Sequence, residues 1–83
     1  MHTIAKMREY INEYVRSKPI EQVGTKILKE YFGVPFEYNY PDYKEYYINR
    51  VTMSETEAKK YVQSFFEDLD VPAIMDLYNH ITT

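Results

Sequence analysis

The sequence predicts an α+β fold, mostly helical: two helical pairs around a short tyrosine-rich β-hairpin, in the order ααββαα. Three observations carry this. Four stretches repeat apolar residues at helical spacing. A central stretch alternates apolar and polar residues, as a half-buried strand does. A capping box, Ser54-Glu55-Thr56-Glu57, opens the third helical stretch. The alternative is an all-α small bundle, because Tyr43, Tyr46, Tyr47 and Arg50 also fit a helical stripe. Eighty-three residues suit a single compact domain, 1–83.

The first helix is read from Ile4, Met7, Ile11, Tyr14 and Val15, which share one face, with Thr3 as its N-cap. Ser17-Lys18-Pro19 interrupts it, and Pro19 suits the start of a second helix. That helix carries Ile20, Val23, Ile27, Leu28 and Tyr31, and ends at Gly33 with Pro35 just beyond. Gly24 inside it costs about 1 kcal/mol relative to alanine; a close helix–helix crossing would justify it, and a simple propensity loss is the other reading.

Val34, Phe36, Tyr38 and Tyr40 alternate with polar positions and predict a strand with one apolar face. Pro41-Asp42 signals a turn, and the fixed φ of Pro41 argues for a longer loop rather than a tight hairpin. Residues 44–52 are rich in β-branched and aromatic side chains and predict a second strand. Ala58, Tyr61, Val62, Phe65, Phe66 and Leu69 then mark one face of the third helix. Asp70 caps the fourth, whose stripe is Ile74, Leu77, Tyr78 and Ile81.

Composition narrows the function. No cysteine is present, so disulfides, thiolate metal sites and thiol nucleophiles are excluded, and no cofactor is expected. Two glycines cannot build a phosphate-binding loop. The three serines lack the flanking glycines of a nucleophile elbow. Asp68 and Asp70 lack the further ligands of a calcium loop, and no metal is expected. Asp76 and His80 share a helix face, as do Glu9 and Glu13, and such pairs can do acid–base work. Solvated helix charge explains both, and His80 suits a helix C-terminus, so no enzyme is expected. The N-terminus has no signal-peptide core and no run approaches membrane length, so a cytoplasmic location without membrane contact is expected.

Charge weighs against nucleic acid. Residues 1–33 carry six basic against four acidic side chains, net +2; residues 34–83 carry four against nine, net −5. The basic residues of the N-terminal helical pair are interleaved with glutamates, which breaks up the positive field that phosphates require. A helix-turn-helix reading of 20–34 fails at Lys29, where that motif needs a small residue. A nucleic-acid-binding regulator using this helical pair stays as the second expectation.

The strongest functional signal is aromatic. Ten of the fourteen aromatic residues are tyrosines. Tyr38, Tyr40, Tyr43, Tyr46 and Tyr47 fall within ten residues of chain, and neither a hairpin nor a helix can turn them all inward. A chain this short buries only about 60–65% of its unfolded surface. Exposed tyrosine is what protein interfaces favour. Glu67, Asp68 and Asp70 form a second candidate: Glu67 and Asp68 sit at a helix C-terminus, where the dipole disfavours acid. The expected function is a small acidic, non-catalytic protein-binding module that acts as inhibitor, adaptor or regulator of a larger protein. Such economy is common in proteins of phages and mobile elements. A homodimer is a further expectation.

Overall fold

The computed structural model describes residues 3–38, with Tyr38 described by its backbone, and residues 45–83. Helix α1 (Ile4–Ser17) is followed by α2 (Ile20–Val23), which runs on as a π-helical turn over Gly24–Lys29. Strands β1 (Phe36–Tyr38), β2 (Glu45–Ile48) and β3 (Val51–Ser54) come next, then α3 (Glu55–Phe66) and α4 (Val71–Thr82). The mostly helical α+β reading stands. The strand reading needs a correction: the single strand expected over 44–52 is two strands, and the hairpin is one part of a three-stranded antiparallel sheet in the order β1-β2-β3.

The missed feature is the turn. Ile48 pairs with Val51, leaving Asn49 and Arg50 as a two-residue loop with φ of 49° and 71°. Two successive positive φ values define the hairpin turn whose twist matches the strands. Asparagine enters this region readily; arginine does not, and the usual glycine is missing. The Asn49 amide donates to the Pro35 carbonyl at 3.0 Å, tying the turn to the approach of β1. The expected turn at Pro41-Asp42 lies outside the described residues.

Helix ends follow the local chemistry. Thr3 Oγ1 accepts from the Lys6 amide (3.2 Å), and Asp70 Oδ1 accepts from the Ala73 amide (3.1 Å). Ser54 and Glu57 complete their reciprocal box at 3.2 and 3.3 Å. Gly33 takes φ +70°, and the Val34 amide returns to the Leu28 carbonyl at 2.8 Å, closing the second helix.

The second helix is wider than an α-helix. Glu30 donates to Thr25 and Phe32 to Ile27, each five residues back at 3.0 Å. A wider turn brings sequence neighbours nearer one face, and Ile27 and Leu28 are both fully buried. Gly24 also has its explanation, and it is not a helix–helix crossing. A Cβ there would stand 2.3 Å from Cε2 and Cζ of Phe36, whose ring fills the space a side chain would need. The core gathers Ile11 and Val15 of α1, Ile20, Val23, Ile27 and Leu28, Phe36, Tyr46 and Ile48 of the sheet, Ala58, Val62 and Phe66 of α3, and Ile74 and Leu77 of α4. Helix α3 touches α1, the second helix and the inner face of the sheet, while α4 lies along α1.

Candidate partner-binding surface

Strand alternation divides the tyrosine pair at the centre of the sheet. In β2, Tyr46 and Ile48 face the helices, and Glu45 and Tyr47 face out. The register sets Glu37 of β1, Tyr47 of β2 and Thr52 of β3 side by side, and all three are exposed. Tyr47 is thus on the central strand, 41% exposed, in the middle of an outward-facing row. Val51, 54% exposed, lies at the turn end of β3.

Tyr46 leaves the candidate surface. Only 3% exposed, its ring stacks on Phe36 with centroids 6.3 Å apart, and its hydroxyl donates to Glu21 Oε1 at 2.8 Å. Burial, then the hydrogen bond to Glu21 and the charges of Glu21 and Glu55, push its phenol up to about 12. Its inward direction is the plain result of period two: a residue and its neighbour cannot share a face. Tyr38 is the register partner of Tyr46; its side chain, and Tyr40 and Tyr43 altogether, lie outside the described residues.

A groove of about 420 Å³ opens beside the Tyr46 hydroxyl, lined in part by Arg16, Lys18, Glu21, Glu55 and Lys59. Its charges are largely occupied. Lys59 Nζ donates to the Arg16 carbonyl at 2.8 Å and stands 3.8 Å from Glu55, and Arg16 is paired with Glu13.

The acidic group lies in the α3–α4 connection. Glu67, Asp68 and Asp70 are exposed, and Asp70 caps α4. The acid at the end of α3 meets a compensating charge that sequence reasoning missed: Arg8 of α1 donates to the Leu69 carbonyl at 2.7 Å and reaches the Glu67 carbonyl at 3.5 Å. A guanidinium at a helix C-terminus offsets the unfavourable dipole there.

Asp76 and His80 each hold α4 to the second helix. Tyr31 Oη donates to Asp76 Oδ2 at 2.9 Å, and burial together with that carboxylate raises the Tyr31 pKa. His80 Nε2 lies 2.9 Å from the Lys26 carbonyl and 3.5 Å from Glu30 Oε1; a carbonyl only accepts, so Nε2 carries the proton. Among the described residues, no three acidic or imidazole side chains are grouped to hold a metal ion. None of the described helices is long and apolar enough to cross a membrane.

A further exposed apolar area went unread in the sequence. Tyr10 of α1 is 45% exposed, and Val71 and Met75 of α4 are 50% and 44% exposed. The signal was present: Val71 and Met75 stand four residues apart on α4, beside the core line of Ile74, Leu77 and Ile81 against which Tyr78 is half-buried. Compared with protein-family models, curated proteins and solved structures, the chain matches none.

Proposed function

We propose that this chain is a cytoplasmic, non-catalytic protein-binding module that inhibits, adapts or regulates a larger protein, gripping it with the outer face of its sheet. The observation that carries the reading is Tyr47, exposed at the centre of that face between Glu37 and Thr52. A tyrosine on a rigid central strand offers large contact area at small entropic cost, and its hydroxyl keeps a hydrogen bond in the complex. Glu37 and Glu45 give the patch an acidic rim, which suits a partner with basic residues around an apolar centre. Tyr40 and Tyr43, between β1 and β2, belong to the proposed surface by sequence alone, while Tyr38 takes the register position opposite Tyr46. A second copy of the chain, as partner, has a different surface available on α1 and α4.

The nucleic-acid reading draws less support. Of the six basic residues in the N-terminal helical pair, Arg8 serves the α3 terminus, Arg16 pairs with Glu13, and Lys26 stands 3.7 Å from Glu30. A field made of such pairs is weak.

The test is affinity purification of tagged wild type and Tyr47→Ala from the host, with mass spectrometry and an absorbance check for nucleic acid. The proposal expects a protein captured by the wild type and lost by the folded variant. Equal capture by both would overturn it, as would retention of nucleic acid that falls steeply with salt.

A further inference from the structure

The outer face of α1 carries opposite charges on the two sides of Tyr10. Thr3, Lys6, Tyr10, Glu13 and Ser17 follow one another at alternating steps of three and four residues, the repeat of a helix–helix seam, and all five are exposed. Turned end for end about Tyr10, Thr3 and Ser17, seven residues to either side, exchange places, and Lys6, four residues before, falls within one residue of Glu13, three after. Two copies of α1 laid antiparallel about a two-fold axis at Tyr10 therefore set Lys6 of each copy opposite Glu13 of the other. The same two-fold makes any such contact count twice.

Two neighbouring features extend this line into a surface. The Tyr10 ring meets Tyr78 edge-on, with centroids 5.2 Å apart, which joins the α1 line to α4. There exposed Val71, Met75 and Thr82, with half-buried Tyr78 among them, have the same alternating spacing and carry no charge. An open cleft of about 220 Å³ also lies along the C-terminal half of the α1 line, lined by Tyr10, Glu13, Tyr14, Ser17 and Lys18. In the antiparallel arrangement, Lys6 of the second copy lies over this cleft, its methylene stem against Tyr10 and its ammonium on Glu13. Glu13's existing partner, Arg16, is an exposed side chain on the same helix, an arrangement too weak to withhold the carboxylate.

We propose that the outer face of α1 and α4 is a self-association surface occupied by a second copy of this chain, antiparallel, with Lys6 and Glu13 paired twice around a central Tyr10–Tyr10 contact. The proposal stands independently of binding through Tyr47, and the dimer would present two sheet faces to partners.

The test is sedimentation equilibrium of the purified chain from micromolar to millimolar concentration. The average mass should rise from 10.0 kDa toward twice that value. Lys6→Glu and Glu13→Lys should each weaken association by about ten-fold or more, since each sets like charges face to face at two places. Mixing the two single variants should restore association, because a mixed pair sets Glu opposite Lys at both places; the double variant should restore it alone. Met75→Lys, which puts charge into the uncharged line of α4, should also weaken it. A 10.0 kDa species throughout would overturn the proposal. So would a dimer indifferent to the single substitutions, or one that mixing fails to restore.

Discussion

Substituting Gly24 by alanine sets two effects against each other, and the structure decides the sign. Helix propensity alone favours alanine by about 1 kcal/mol. Packing opposes it. The new methyl would stand 2.3 Å from Cε2 and Cζ of Phe36 and 2.6 Å from Cδ2, well inside contact distance. The ring cannot simply swing away: Phe36 is 5% exposed and stacked on Tyr46, which is itself anchored to Glu21. Overpacking of this kind costs about 1–3 kcal/mol, and more where a buried ring must leave its seat. Because this buried ring must move, the upper end applies, about 3 kcal/mol; with the propensity gain subtracted, Gly24→Ala should destabilise by about 2 kcal/mol, which lowers Tm by about 10 °C in a domain of this size. Thermal and urea unfolding followed by circular dichroism measure it. A double-mutant cycle with Phe36→Leu isolates the contact: with the ring replaced by the smaller side chain, the Gly24→Ala penalty should shrink to less than half. A neutral or stabilising Gly24→Ala in the wild-type background would refute the reasoning.

Three further predictions concern the rest of the fold and the surface. Ser54→Ala removes one half of the capping box of α3 and should cost about 1 kcal/mol in urea unfolding. Tyr46 holds its proton more tightly folded, to about 12, than at its ordinary value of 10.0. Its contribution is therefore fully present below pH 10 and lost as pH rises from 10 through 12. Tyr46→Phe should flatten that limb of the stability–pH curve, with the phenolate absorbance band as the second readout. Tyr47→Ala should leave stability within about 0.5 kcal/mol of wild type, as expected for an exposed position.

Legibility in the sequence followed distance along the chain. Features set by a few neighbouring residues were readable: the Thr3, Ser54 and Asp70 caps, the Gly33 terminus, and the core lines through Ile11 and Val15, Val62 and Phe66, Ile74 and Leu77. The turn at Asn49-Arg50 was not, because a hairpin turn is recognised by glycine and here an arginine holds a left-handed φ under constraint from both flanking strands. Gly24 leaves a helix crossing and a plain propensity loss open in the sequence, because a sequence gives no partner for an absent side chain; Phe36, twelve residues on, supplies it. On the surface, the surplus of tyrosine was visible but its direction was not. Register made Tyr46 a core residue and Tyr47 an exposed one. Arg8 on the α3 terminus joins residues about sixty positions apart, beyond the reach of any local pattern.

Tyr47, on the open face of the sheet, is proposed to grip a protein partner. Once capture from the host has supplied the partner, titration calorimetry with wild type and Tyr47→Ala, at two salt concentrations, tests it most directly. A loss of about 2 kcal/mol in the variant, about thirty-fold in Kd, is expected, with a shallow dependence on salt for the wild type. Equal affinities for the two folded proteins would contradict it.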